Sequence, residues 1–506
     1  MIHANLTKAG IFLCKSCLIA ISILVVRSSS ALAKEPLFTD SLQQVRAAVE
    51  GNMESMEAHE AFIKAVGKNE ALLIRQYDAW IRKNPSSTVL PLAIGTALYQ
   101  KESPLAKPYL LKAVAIDPKL AKGWFMLSID ASRWGDEEAA MKYMGKASET
   151  DPADAGYAFY YAMDFEPLDG AVWRTKLYEL AKRFPAHERG AQGLYWLATR
   201  SQDSAEKRTV YELLRRSYPP EKFSWSSSGM SGLYDVYLKD APEKAAALAR
   251  EMGTEDGWPD NAVLAEKVVK LRSLLAENKG SEARELVKSI KLPRYSTAID
   301  MMQILKSAVY FAAGDKEGAY DSLVKIYAKT PSVELNKALN SYAVQLNKSA
   351  GQVEEDVWKK REAAAYTAPA FELDQYLVKG KASLEDFKGK VVLLTFWFPG
   401  CGPCRGEFPH FENVLKNYDK NKVAYIGINV VPEQDAYVLP FMKGTKYTFI
   451  PLRATDQWAM QTYKVRGEPT NFLIDQHGKV VFANFRIDGS NEPTLALMLN
   501  STLERK

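Results

Sequence analysis

The apolar and polar positions of this chain change texture twice. Residues 16–26 (SCLIAISILVV) form an apolar run of eleven. From about residue 40 to 350, apolar residues recur at three- and four-residue spacing among Ala, Leu, Lys and Glu, the period of amphipathic helices. Within that stretch Ser224-Trp-Ser-Ser-Ser-Gly229 is expected to be a loop, and the aromatic string Tyr157-Ala-Phe-Tyr-Tyr161 to be core. From about 366 the pattern becomes strand-like. Lys390–Phe398 (KVVLLTFWF) and Val423–Val431 (VAYIGINVV) are near-continuous apolar runs, as expected of strands buried on both faces. Phe371–Leu373 predicts a short strand, and helices are expected near 405–419 and 432–442. Asn471–Asp475 and Val480–Phe485 flank Gln476-His-Gly-Lys479 as a hairpin, and Glu492–Glu504 closes as a helix. This order predicts an α/β sheet with covered faces after a helical region.

The helical stretch repeats. Pro85, Pro118, Pro152, Pro185 and Pro219 are separated by 33, 34, 33 and 34 residues, each after a helical run that proline ends. The period resembles the tetratricopeptide repeat, a helix–turn–helix unit. Ala121 to Pro152 carries the resemblance best, with Trp124, Leu127, Gly135, Ala140, Ala147 and Pro152 at its bulky, small and terminating positions. Ala106, Leu110, Ala113 and Pro118 match in the copy before, and Ala319 and Leu323 in a copy ending at Pro331. Ser128 and Ala131 depart from it, where the repeat usually has Gly and Tyr. The resemblance implies a solenoid with a protein-binding face. The alternative is a scaffold whose groove is filled by its own chain.

Composition narrows the classes. The chain has 506 residues, enough for two to four domains, with 47% hydrophobic and 25% charged residues. Those values exclude wholesale disorder and fibrous classes. The early apolar run is preceded by Lys8 and Lys15 and followed by Arg27 and Ala31-Leu-Ala33, the form of a cleaved export signal over residues 1–33. A retained anchor needs about 20 apolar residues. Without residues 1–33, 63 basic residues face 61 acidic ones, too even a balance to imply nucleic acid. Cys14 and Cys17 share the C-x-x-C spacing but fall inside the signal, so the mature chain is expected to hold two cysteines, Cys401 and Cys404, in an oxidising compartment such as a periplasm. The expected organisation is a signal (1–33), a helical repeat domain (34–350), a linking helix (351–365) and an α/β domain (366–506).

The chemistry follows the first buried run, in Phe396-Trp397-Phe-Pro-Gly400-Cys401-Gly-Pro403-Cys404-Arg-Gly-Glu407-Phe-Pro409. Side chains three apart at a helix start stand about 5–6 Å apart, near the Cα range of about 4.4–6.8 Å that a disulfide requires. The free N–H groups and partial positive charge of a helix N-terminus favour a thiolate. Pro403 in the first turn removes no helical hydrogen bond. Cys401, nearer the helix end, is expected to attack, and Cys404 to resolve the mixed disulfide. A zinc pair is disfavoured, because zinc wants four ligands and no second C-x-x-C or histidine pair remains.

A strand ending in C-x-x-C that opens a helix resembles the thioredoxin superfamily. Over about 366–506 the chain resembles more closely the exported TlpA/ResA-type thiol–disulfide oxidoreductases. Ala368–Leu373 (APAFEL) and Ser383–Lys390 (SLEDFKGK) look like that family's lead-in, and Gly467-Glu468-Pro469-Thr470-Asn-Phe-Leu-Ile-Asp475 like its cis-proline segment. The resemblance implies a thioredoxin-like fold in which a cis Pro469 faces the cysteine pair. It implies that Glu468, Thr470 and Trp397 bind substrate, and that Glu407, about 60° round the helix from Cys404, accepts or donates a proton beside the resolving thiol. It also implies partners that carry disulfides or dithiols, a membrane electron donor, reduction rather than oxidation, and no metal or organic cofactor. Gly400 stands where the family has tryptophan, Thr395 where thioredoxin has a buried aspartate, and Glu468 before the proline, which is often an uncharged position; these departures point to a narrow substrate range.

The residues oppose three rival readings. His410 as a base for Cys401 is excluded by its place nine residues along the helix, on the opposite face. A thiol peroxidase of the peroxiredoxin pattern wants threonine three before its cysteine, where this chain has Phe398. A repeat scaffold with a weakly active redox domain is opposed by the intact Cys-Gly-Pro-Cys.

Overall fold

The computed structural model describes residues 40–166, 168–254, 257–290 and 298–505; the expected export signal, with Cys14 and Cys17, lies outside the described residues. Nineteen helices precede the sheet among the described residues. They are α1 (Asp40–Gly51), α2 (Met56–Val66), α3 (Glu70–Lys83), α4 (Val89–Gln100), α5 (Ala106–Ile116), α6 (Ala121–Arg133), α7 (Glu137–Thr150), α8 (Ala155–Met163), α9 (Gly170–Arg183), α10 (Glu188–Arg200), α11 (Ser204–Ser217), α12 (Ser224–Asp240), α13 (Pro242–Glu251), α14 (Trp258–Ala276), α15 (Gly280–Lys288), α16 (Ile299–Ala312), α17 (Lys316–Lys329), α18 (Val333–Gln345) and α19 (Ala350–Ala364). The periodic prolines follow α3, α5, α7, α9 and α11, so each period encloses one helical hairpin. Asn69, Asp136, Asp154, Asp169 and Asp203 cap the starts of α3, α7, α8, α9 and α11 by accepting free N–H groups. Glycines let the helices of a hairpin touch: a Cβ on Gly95 of α4 would lie 2.8 Å from Leu110 of α5. Of the aromatic string, Phe159 is buried and Tyr157 and Tyr160 pack against Phe125.

Residues 224–229 correct the expected loop, because α12 starts at Ser224. The serines and glycines there are small so that the helix can pack closely. A Cβ on Gly229 would meet Leu214 of α11 at 2.7 Å, and Ser226 is fully buried. The carboxylate of Glu188 accepts the N–H groups of Ser224 and Trp225 at 2.7 and 3.3 Å, capping the helix from a neighbouring hairpin.

The sheet part contains β1 (Tyr366–Thr367), β2 (Glu372–Gln375), β3 (Lys381–Ser383), β4 (Val391–Trp397), α20 (Gly402–Leu415), β5 (Val423–Asn429), α21 (Asp435–Thr445), β6 (Ile450–Arg453), α22 (Asp456–Tyr463), β7 (Thr470–Ile474), β8 (Lys479–Phe485) and α23 (Glu492–Leu503). The eight strands run in the order β1-β8-β7-β4-β5-β6-β2-β3, with β4, β5 and β6 parallel and the other pairings antiparallel. This is a thioredoxin-like α/β fold. Every residue of β4 and β5 is buried. Alternation divides β4 between two cores: Val391, Leu393 and Trp397 join α20, α21 and α23 on one face, while Val392, Leu394 and Phe396 join Phe371, Ala459 and Tyr463 on the other. The sequence pattern predicts none of β1, β3, β6 and α22; these three strands have two, three and four residues, too short for a legible period.

The helical part reaches the sheet part at several places. Arg361 of α19 donates to Ser501 Oγ of α23 at 2.9 Å and lies over the Phe482 ring of β8. The turn between α6 and α7 meets the end of α21 backbone to backbone, and a Cβ on Gly135 would lie 2.7 Å from Phe441 O. Trp134 packs edge-on against Tyr437 with ring centres 4.7 Å apart.

Candidate active site

β4 delivers the chain to the centre of the sheet edge, and residues 398–400 turn it into α20. Cys401 is the N-cap of that helix, and its Sγ accepts the N–H of Cys404 at 3.2 Å. The two cysteines form a disulfide, with Cα atoms 5.3 Å apart. Cys404 is fully buried and Cys401 is 4% exposed, whereas Gly402 and Pro403 between them are exposed. A sulfur at this helix end receives a backbone N–H and faces the positive end of the helix dipole, so a thiolate formed there is stabilised.

The other expected residues surround this pair unequally. The Glu468–Pro469 bond is cis. Thr470 pairs with Phe396 across β7 and β4, so Pro469 lies level with the end of the strand that leads to Cys401. Thr470 Oγ1 donates to Gly467 O at 2.6 Å, which shapes the exposed turn before the proline. Glu468 is half-buried with one carboxylate oxygen unpartnered, and burial pushes its carboxyl above the usual range, helped by the charge of Asp456. Trp397 corrects its expected role. It is fully buried among Phe408, Phe441 and Phe449, so it packs beneath the cysteine helix and is not placed to touch a substrate.

Glu407 is buried, 6% exposed. Its Oε2 accepts from Asn471 Nδ2 of β7 at 2.7 Å, its Oε1 accepts from Ile487 N at 3.4 Å, and Arg486 stands 3.7 Å away. Burial raises its pKa, opposed by the Asn471 hydrogen bond and the Arg486 charge. The structure thus holds a carboxyl one helical turn from Cys404 in a dry, hydrogen-bonded site. His410 bonds Glu492 of α23 at 2.7 Å, away from the cysteines. Thr395 is buried with its hydroxyl unpartnered.

Sequence reasoning missed a second set of residues, supplied by the helical part. Gly400 N donates to Gln434 Oε1 at 2.7 Å, and Gln434 Nε2 donates to the carboxylate of Glu102, in the turn after α4. Glu102 is also paired with Arg133 at 3.3 Å. A Cβ on Gly400 would lie 2.8 Å from Glu102 Oε2, so a larger residue there would have to move the tips of Glu102 and Gln434 aside. Arg405, the residue after Cys404, has its Nε and Nη1 buried without a hydrogen-bond partner. Burial lowers its pKa, while the charge of Glu137 in α7 opposes that shift, as does Asp164 after α8. Asp164 is itself pushed up to about 7, first by burial and then by Glu137. The sequence carries no local signal that joins residues 102, 137 or 164 to the cysteine loop.

The family model described as AhpC/TSA family matches residues 364–483. The chain is 39% identical over 114 residues to the thiol-disulfide oxidoreductase ResA of Bacillus subtilis, covering 22% of this chain and 63% of that protein. It is 37% identical over 119 residues to ResA of Geobacillus thermodenitrificans, covering 23% of this chain and 67% of that protein. The chain thus spans less than two thirds of the length of the Bacillus ResA proteins it matches, 63% and 58% in two of them. Among solved structures, a putative thiol:disulfide interchange protein DsbE from Chlorobium tepidum is 28% identical, with 27% of this chain and 95% of that chain covered and a TM-score of 0.25.

Proposed function

This chain belongs, through its C-terminal part, to the ResA family of thiol–disulfide oxidoreductases, and from that premise we propose that it exchanges its Cys401–Cys404 dithiol with disulfides of proteins outside the cytoplasm, in the reducing direction. The observation that carries the reading is the closed Cys401–Cys404 pair at the start of α20, with Cys401 Sγ accepting a helix-end N–H. In the reduced protein the Cys401 thiolate attacks one sulfur of the substrate disulfide. A Cys401–substrate bond forms, the substrate S–S bond breaks, and one substrate thiolate leaves. The Cys404 thiolate then attacks Cys401 Sγ, releasing the second substrate thiolate and closing the Cys401–Cys404 bond. Two electrons pass from the pair to the substrate, so a dithiol donor must reset the enzyme.

In this reading Glu407 takes the Cys404 proton before the second step, its raised pKa bringing it closer to that of a thiol. The Gly467–Thr470 turn binds substrate backbone, the helical part recruits the partner, and residues 1–33 direct export. The AhpC/TSA description also suits a thiol peroxidase. Phe398 in place of threonine, and a resolving cysteine only three residues away, weigh against that.

The test is the reduction potential of the Cys401–Cys404 couple, set by equilibration against glutathione and dithiothreitol. A value near that of thioredoxin, about −270 mV, supports reduction, and one near about −120 mV reverses the direction. Intact-mass analysis of the exported protein checks for a start near Lys34.

A further inference from the structure

One edge of the helical part lies along the redox site. The turns that join α4 to α5, α6 to α7, α8 to α9 and α10 to α11 succeed one another along the stack, and each reaches the sheet part. Glu102 meets Gly400 and Gln434. Gly135 meets Phe441 and Gly444. Asp164 acts on Arg405, and Gln202 Nε2 donates to Gly489 O. The repeat period therefore places successive turns on one face of the α/β part. Glu102 stands nearest the chemistry, against the residue that precedes the attacking cysteine.

The two sides of Cys401 differ as a result. On the Gly400 side, the tips of Glu102 and Gln434 stand against the backbone, and a Cβ there would meet Glu102 Oε2 at 2.8 Å and the Gln434 amide at 3.0 Å, so those side chains would have to move aside. On the other side Gly402 and Pro403 are exposed, and a Cβ on Gly402 would meet nothing within 4 Å. We propose that Glu102 is a specificity-determining residue of the thiol exchange: the docked helical edge walls off the Gly400 side of Cys401, so that disulfides in extended or protruding segments reach the sulfur from the Gly402–Pro403 side and disulfides flush with a compact protein surface do not. This rests on the exchange reading above. The wall acts by excluded volume and needs no contact with the reacting sulfurs. A compact partner would have to displace Glu102 from Arg133 and Gln434 before its sulfur came into line with Cys401.

The test uses the full chain, reduced, with two kinds of probe. The first is alkylation of Cys401, scored by mass, with N-ethylmaleimide and with a polyethylene glycol maleimide of protein size. The second is exchange with a small aromatic disulfide, with an extended disulfide-bearing peptide and with a compact disulfide-bonded protein. Two variants remove the wall in different ways. Glu102→Ala removes its tip. Gly444→Val pries the edge off, because a Cβ at Gly444, which lies in a helix with ordinary backbone, collides with the Gly135 carbonyl. Glu102→Gln keeps the bulk.

We expect Glu102→Ala and Gly444→Val to raise the rate ratio of bulky to small probes by about tenfold, with small-probe rates within about twofold of the unaltered chain. Glu102→Gln should keep the original ratio. An unaltered chain that takes bulky and small probes equally well overturns the wall, and so do variants that stay folded with an unchanged ratio. Loss of small-disulfide exchange in Glu102→Ala would make Glu102 part of the machinery and overturn a purely excluding role. If the unaltered chain exchanges no disulfide at all, the exchange reading fails, and the alkylation ratios still decide the wall.

Discussion

Tyr437 of α21 donates its hydroxyl to Asp130 Oδ1 of α6 at 2.9 Å, a buried hydrogen bond across the seam between the helical and the sheet parts. Asp130 Oδ2 accepts from Trp134 Nε1 at 3.0 Å, and Arg133 adds a neighbouring positive charge. Burial raises the Asp130 carboxyl, and these partners oppose it. Tyr437→Phe should therefore lower stability by about 1–3 kcal/mol, the range for leaving a buried acceptor short of a donor. Chemical denaturation of the full chain measures this, and an unchanged midpoint would show that the seam does not contribute.

The seam should weaken as pH rises. Asp164 has a pKa near 7 in the folded chain, against about 4 when solvated. Between those values the unfolded carboxyl has lost its proton and the folded one retains it, so each rise in pH favours the unfolded state. Stability contributed here is full below about pH 4 and declines up to about pH 7. Glu137 shifts in the same direction, with Arg405 opposing both. Asp164→Asn should flatten that decline, read as a smaller difference in melting temperature between about pH 5 and about pH 8.

Cys401→Ser should abolish exchange, and Cys404→Ser should leave a protein that accumulates mixed disulfides with its partner, because the resolving step is lost. Non-reducing gels after incubation with a disulfide-bonded substrate read both outcomes. Trapping by the Cys401 variant instead would reverse the two roles.

Glu407→Gln should change the pH dependence of exchange and leave the fold intact. Gln keeps an acceptor for Asn471 Nδ2 and removes the titrating group. The unaltered chain should show an inflection above the usual carboxylate range in rates measured from acidic to alkaline pH, and the variant should lack it. Superimposable profiles would reduce Glu407 to a packing residue.

The strand-to-helix placement of Cys401 and Cys404, the double-faced burial of β4 and β5, and the succession of hairpins all follow from local rules that a chain displays in its own order. Apolar spacing reports which faces are covered, and proline marks where a helix stops. Where packing between distant elements decides, those rules fail. Ser224–Gly229 reads as a loop by composition, yet it starts α12 because Glu188 caps it and Leu214 leaves room only for small residues. The resemblance gives Trp397 a substrate-binding role, but it is packed into the core with Phe408 and Phe441, as the unbroken apolar run of its own strand implies. The expected chemistry of the pair and the two kinds of architecture are legible in the order of residues along the chain. That Glu102 stands against the cysteine loop, 332 residues before its partner Gln434, is set by how distant elements pack and is not legible in the chain's order. Polar turn residues carry no periodic signature, and which of them meet depends on how the stack of hairpins curves against the sheet, a sum of many small packing angles that no short stretch of sequence encodes.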